Sequence, residues 1–258
     1  MTPFSFPEWA SFESNVHVVY QPIVSWSRRE ISGYEVLLRS THGPDRRPDQ
    51  LLACARQRRA MVRLGRTIRA LVASTFDRMP ENTPVFVNVD GDELRARSLL
   101  ADDEPFAPYA SRVVLEITEA GARFEPGELS DCLRPLRARG YQFALDDLGA
   151  GHNGLATFAE VDVDVVKFDM SLVRDVHRSA IKQRVIGFLS ELCAERGVLS
   201  VAEGVESFEE RDTLVRLGCD LFQGHYFGRP SAPFSSDEPR GFSLPRRRAP
   251  RDTAPTLV

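Results

Sequence analysis

Residues 18–39 read VVYQPIVSWSRREISGYEVLLR, and the fold turns on this stretch. It holds two apolar runs, 18–24 and 31–39, separated only by Ser25-Trp26-Ser27-Arg28-Arg29-Glu30. Parallel neighbouring strands need a crossover of about a dozen residues or more, so this gap predicts an antiparallel hairpin. Six further short apolar runs follow, at 85–88, 113–116, 143–147, 163–167, 199–203 and 221–223. Each of these ends in a polar or charged residue, as the run 34–39 and the run 18–24 do with their flanks.

Helical patterns fall between the later runs. Leu64, Ile68, Leu71 and Val72 mark one helix face; Leu129, Leu133 and Leu136 mark another, which Gly140 ends. Ile181, Val185, Phe188, Leu189 and Leu192 mark a third, with Gly197 beyond its end. Ser207 and Glu210 form a capping box that opens a fourth, running to Gly218. Strand–helix alternation over eight strands predicts an α/β fold, a TIM-like (β/α)8 barrel whose first strand runs antiparallel, with its chemistry at one rim.

Composition agrees. The chain has 258 residues, and such a barrel takes about 250. Lys plus Arg is 33 and Asp plus Glu is 37, a net charge of −4. A mildly acidic chain has no global attraction for a nucleic acid polymer. Cys54, Cys132, Cys193 and Cys219 form no C-x-x-C pair and read as reduced thiols of a cytoplasmic protein. The five histidines lack metal-ligand spacing, which disfavours a histidine-bound zinc. The N-terminus does not read as a signal peptide, and no apolar stretch approaches a membrane span. Residues 1–15 are expected to form an arm, 16–234 the barrel domain, and 235–258 a disordered, solvated Pro/Arg-rich tail.

The rim carries the chemistry. Glu35 and Glu116 interrupt apolar strands, where a charge is costly unless paired or metal-bound; an exposed strand face is the alternative for Glu116. Asp146-Asp147 is followed by Leu148-Gly149-Ala150-Gly151, and adjacent strand residues face one site only if the backbone turns there. Asp-Asp before Gly is also ordinary turn chemistry. Lys167 lies between Val166 and Phe168 and reads either as a buried cation beside a reacting water or as a salt bridge to Asp169 or a nearby Glu. Oxygen ligands of this kind suit Mg²⁺ or Mn²⁺ and, as a pair of ions about 3.5–4 Å apart, phosphodiester cleavage.

These motifs closely resemble those of the EAL phosphodiesterases, which hydrolyse cyclic di-GMP. The signature Glu-Ala-Leu stands here as Glu35-Val36-Leu37, followed by Leu38-Arg39, with Tyr20-Gln21-Pro22-Ile23 upstream. Val87-Asn88-Val89, Leu115-Glu116-Ile117-Thr118-Glu119 and Asp146-Asp147-Leu148-Gly149-Ala150-Gly151 match further motifs. So do Val166-Lys167-Phe168-Asp169, Ala202-Glu203-Gly204-Val205-Glu206 and Gln223-Gly224-His225 with Phe227 and Pro230.

The resemblance implies Glu35, Asn88, Glu116 and Asp146 as ligands of one metal ion, and Asp146, Asp147 and Glu203 as ligands of a second. Lys167 would hold the attacking water, and Glu203 is either a ligand or a general base. Arg39 resembles a phosphate-binding residue, beside Leu38; Gln21, Glu206 and Gln223 resemble dinucleotide contacts. Asp169 is placed near the substrate or in support of the ligands, and Glu119 as a loop anchor. The implied reaction opens cyclic di-GMP to linear pGpG with two Mg²⁺ or Mn²⁺ ions, Ca²⁺ being inhibitory. A homodimer is implied as well.

The chain departs from the family pattern after Asp147. Leu148, Ala150, His152 and Asn153-Gly154 replace Phe, Thr, Tyr and Ser-Ser, which predicts a less ordered loop and a reduced or dimer-dependent turnover. His225 replaces a Tyr and reads as a tolerated rim substitution or a source of pH dependence between about 5 and 8. A weakly catalytic cyclic di-GMP receptor and a protein-interaction module therefore remain alternatives to the enzyme.

Overall fold

The computed structural model describes residues 16–40, 48–118, 124–151 and 154–232. The expected arm and tail, Glu119, His152 and Asn153 lie outside the described residues. Eight strands form a closed barrel in sequence order: β1 (Val16–Ser25), β2 (Glu30–Ser40), β3 (Val85–Val89), β4 (Val113–Thr118), β5 (Gln142–Leu148), β6 (Val165–Phe168), β7 (Leu199–Ala202) and β8 (Leu221–Phe222). Strand β1 is antiparallel to both β2 and β8, and every other neighbouring pair is parallel. All eight apolar runs are strands, and the short gap is the hairpin turn.

Helices cover the outside: α1 (Pro48–Gln57), α2 (Met61–Ala73), α3 (Gly91–Arg95), α4 (Glu128–Arg137), α5 (Gly154–Glu160), α6 (Met170–Val173), α7 (Ala180–Glu195) and α8 (Phe208–Arg216). Helix α4 buries Leu129, Leu133 and Leu136. Ser207 and Glu210 form the expected reciprocal cap of α8. One helix corrects its sequence reading. On α7 the core face is Ile186, Leu189, Ser190 and Cys193, while Ile181, Val185 and Phe188 point outward, with Ile181 76% and Phe188 63% exposed. This helix is apolar on two sides, so a 3.6-residue period alone cannot say which stripe meets the barrel.

The period of two along each strand then builds the interior in layers. Ile23, Phe86, Val114, Ala144, Val165, Val201 and Leu221 form one apolar cluster inside the barrel. On β2 the corresponding residue is Gly33, whose missing side chain leaves room for the Phe86 ring, 2.9 Å from where a Cβ would stand. Two residues nearer the rim, the same inward face carries Gln21, Glu35, Asn88, Glu116, Asp146, Lys167, Glu203 and Gln223. A polar layer thus sits directly on an apolar floor.

Candidate functional site

Lys167 is the centre of that polar layer and is fully buried. Its Nζ lies 2.6 Å from Glu116, 2.6 Å from Glu203, 3.1 Å from Asp146 and 3.6 Å from Glu35. None of these is aligned as a hydrogen bond among the described residues, so the contacts are ion pairs. Asp169, a sequence candidate for pairing with Lys167, instead caps α6 by accepting from the Ser171 N–H at 2.8 Å. Glu116 is 0% exposed, which removes the exposed-face reading for it.

Asp146 and Asp147 reach one site through the backbone at Asp147 itself. It adopts a left-handed φ of 59°, inside a bulge that shifts the β5–β6 register between Leu145 and Leu148. The turn therefore begins one residue before the Leu-Gly stretch that the sequence suggested. Such a bulge re-aims a side chain that strict alternation would send outward. The Asp147 N–H donates to Asp146 Oδ1 at 3.0 Å.

Glu116, Glu203, Asp146 and Glu35 consequently surround one ammonium, with Asp147 beside Asp146 and Glu203. Burial raises Glu116 well above the ordinary carboxylate range, against the opposing pull of Lys167. Burial pushes Glu203 up to about 8; Lys167 offsets part of this, while Asp146 and Glu35 add to it. Burial and then the Asp146 charge push Asp147 up to about 6. Lys167 is raised well above its usual value, because burial disfavours its charge less than the carboxylates favour it.

The donor set fits hard divalent cations. Asp146, Asp147 and Glu203 each offer an oxygen within 4.8 Å of the others. Asn88 Nδ2 donates to Glu116 Oε2 at 2.8 Å, which leaves the Asn88 oxygen available as a ligand. Gln223 Nε2 donates to Gln21 Oε1 at 3.1 Å and to Glu35, while the buried Gln223 Oε1 has no hydrogen-bond partner among the described residues. Oxygen ligands alone, with buried negative charge in excess, suit Mg²⁺, Mn²⁺ or Ca²⁺ rather than a thiolate-seeking metal.

A cavity of about 420 Å³ opens over this layer. It gathers Gln21, Glu35, Asp146, Asp147, Asp169, Glu203, Glu206 and Gln223 from the sequence candidates, together with His225. Arg174 was not legible from the sequence; it lines the same cavity and pairs with Glu206. Leu38, Arg39 and Asn88 instead line a second cavity, of about 320 Å³, between β2, β3 and the helices α1 and α2. The candidate residues thus divide between two adjoining hollows. The anchoring role expected of Glu119 falls outside the described residues, as does the central part of the altered loop.

The EAL domain model matches residues 10–230. The chain is 29% identical over 224 residues to the probable cyclic di-GMP phosphodiesterase PdeN of Escherichia coli K12, covering 83% of this chain and 43% of that protein. It is 30% identical over 243 residues to the cyclic di-GMP phosphodiesterase PdeB of Shewanella oneidensis, covering 87% and 28%. It thus spans less than half the length of these relatives. Among solved structures it is similar to the calcium and cyclic di-GMP complex of Klebsiella pneumoniae BlrP1, with a TM-score of 0.73, 29% identity and coverage of 89% of this chain and 58% of that one. A manganese and cyclic di-GMP complex of BlrP1 matches with the same TM-score of 0.73. The cyclic di-GMP-bound standalone EAL protein of Vibrio cholerae O395 also gives 0.73, at 25% identity and coverage of 84% and 92%.

Proposed function

Because the chain belongs to the EAL-domain family, we propose that it is a metal-dependent cyclic di-GMP phosphodiesterase that opens its substrate to linear pGpG. The observation that carries this reading is the set of Glu35, Glu116, Asp146 and Glu203 around the buried ammonium of Lys167, with Asp147 beside Asp146 and Glu203. Buried charge left unbalanced is strongly destabilising, so this layer calls for cations. We assign Glu35, Asn88, Glu116 and Asp146 to one ion, and Asp146, Asp147 and Glu203 to another. Two Mg²⁺ or Mn²⁺ ions, when bound, would activate a water and stabilise the leaving oxygen.

The chain's own residues do the rest. Lys167 holds Glu116 and Glu203 in place and keeps a positive charge beside the attacking water. Glu203, which burial pushes up to about 8, serves either as a ligand or as the general base once metal has displaced its proton. Among the described residues Arg39 spends one N–H on the Leu38 carbonyl, at 2.8 Å, and the remainder of its fork would take a phosphate oxygen. Gln21, Asp169, Glu206 and Gln223 line the larger cavity and contact one half of the dinucleotide. The cavity beside Leu38 and Arg39 takes the other half.

The outward stripe of Ile181, Val185 and Phe188 on α7 supports a homodimer, since an apolar stripe on a soluble domain marks a contact surface. No helix among the described residues is long and apolar enough to cross a membrane, and we assign the protein to the cytoplasm. The test is incubation of the purified chain with cyclic di-GMP and Mg²⁺ or Mn²⁺, followed by chromatography, with Glu35→Ala as the control. Formation of pGpG by the parent alone supports the enzyme, and its absence overturns it. Ca²⁺ is expected to support binding without hydrolysis. A second reading, a receptor with little turnover, is favoured by Ala150 in the turn after β5 and Gly154 at the start of α5; retained binding without product would support it.

A further inference from the structure

The smaller cavity contains a cation that the family motifs do not include. Arg56, on α1, lines it together with Arg39 and Asn88, and its side chain is half exposed. Arg56 Nε and Nη2 both donate to Asp90 Oδ2, at 3.3 and 3.0 Å. Asp90 is itself fixed. It is the N-cap of α3, its Oδ1 accepts from the Asp92 N–H at 3.0 Å, and its own N–H donates to Glu93. It also stands two residues after Asn88, at the end of β3.

The geometry of a guanidinium decides what this leaves. Its five N–H groups form a rigid planar fork. Asp90 occupies the Nε–Nη2 edge, so the Nη1–Nη2 edge keeps two parallel donors without partners among the described residues. Two parallel donors match the O6 and N7 acceptors of guanine; adenine puts the N6 amino donor where guanine has O6. Leu38, Leu52, Met61, Ile68 and Val87 supply apolar walls for the faces of a base. At about 320 Å³ the cavity is at the small end of ligand pockets, which run from roughly 300 to 1,000 Å³.

We infer that Arg56 is a specificity-determining residue, held by Asp90 so that its outer edge reads O6 and N7 of one guanine of the bound dinucleotide. The inference rests on the cyclic dinucleotide reading above and deepens it. The test is calorimetric binding of cyclic di-GMP, with cyclic di-AMP measured by competition, in Ca²⁺, checking by chromatography that the ligands stay intact. Parent, Arg56→Ala and Arg56→Lys proteins are compared; the lysine variant keeps the charge and a bond to Asp90 but lacks the two-donor edge. Melting temperatures verify that both variants are folded.

The expected result is a loss of cyclic di-GMP affinity of about 5- to 150-fold in both variants, the range of one bidentate base contact. Cyclic di-AMP should change less than about threefold, below that range. Equal losses for both ligands in Arg56→Ala would mean a phosphate contact and overturn the inference, as would unchanged affinities. A parent protein that binds neither ligand overturns the functional reading along with this one. A parent that binds cyclic di-GMP while the variants bind equally well overturns this one alone.

Discussion

Replacing Lys167 by Met removes the only positive charge from the polar layer while nearly keeping its volume. The two closest carboxylates lie 2.6 Å from Nζ. At an effective dielectric constant of about 20, each such pair carries about 6 kcal/mol of Coulomb energy when both partners are ionised, an upper bound here because burial raises both carboxyls. Most of this is offset by the cost of burying the ammonium, and breaking a buried pair on one side typically costs about 3–5 kcal/mol. For a chain of this size that corresponds to a fall in melting temperature of about 6–20 °C. The measurement is a thermal melt of parent and variant at pH 7.5, in chelator and in millimolar Mg²⁺. The variant should melt far lower in chelator and recover in Mg²⁺. Its deficit should also shrink toward pH 5, where protons on the carboxylates take over from the missing ammonium. If the variant melts within about 2 °C of the parent in chelator, a shift worth under about 1 kcal/mol, the electrostatic account of this site is wrong.

Three further outcomes follow from the same geometry. Metal binding should release at least one proton at pH 7, because Glu203 at about 8 is largely protonated without metal, Asp147 at about 6 largely is not, and Glu116 is itself raised well above the ordinary range; titration calorimetry in buffers of different ionisation enthalpy reads this, and an identical heat in all buffers refutes it. Glu203 and Asp147 are both raised, so in chelator their contribution to stability is present at acid pH and is lost as pH rises through those values. Gly224→Ala should destabilise by about 3 kcal/mol, the upper end for overpacking, since its Cβ would stand 2.1 Å from the Val205 carbonyl oxygen; urea unfolding checks it. Glu210 accepts from the N–H groups of Asp175, Glu206 and Ser207, which outweigh its burial and hold it below the usual range. Its contribution is therefore present above the ordinary carboxylate pKa and lost as pH falls through the lowered value. Glu210→Gln should cost about 1–3 kcal/mol at pH 7 and flatten the acid limb of the stability profile, as measured by urea unfolding at several pH values.

The strands were legible because each apolar run stops at a polar residue, and the barrel needs both halves of that pattern. The candidate ligands were legible for a related reason: Glu35, Glu116 and Lys167 are charges placed where strand burial makes charge costly. Three things were hidden. The core stripe of α7 could not be chosen, because Phe188 and Ile181 are as apolar as Leu189, and their faces differ only once the barrel is closed. The bulge at Asp147 is a backbone event, and the residue type there does not announce a positive φ. Arg174 and Arg56 sit on helical or loop segments, where an arginine is ordinarily a solvated charge. What marks them is the carboxylate each one grips, Glu206 and Asp90, which only the tertiary structure brings near.

The barrel's seam lies between β1 and β8. Only two residue pairs join these strands, Val24 with Phe222 and Ser25 with Leu221. A short strap beside the seam joins Tyr20 and Ser231 through reciprocal backbone bonds of 2.8 and 3.0 Å. These contacts span about two hundred positions of chain, the kind of pairing whose loop-closure entropy makes it late in folding. Gln21 and Gln223 face each other across this gap. The proposed activity would therefore be tied to the last event of assembly: a chain with seven strands in place would hold its carboxylates and its lysine without a wall at one side of the cavity. The seam acts as a completeness check, and hydrogen exchange should find its few amides opening before those of the β4–β5 pair.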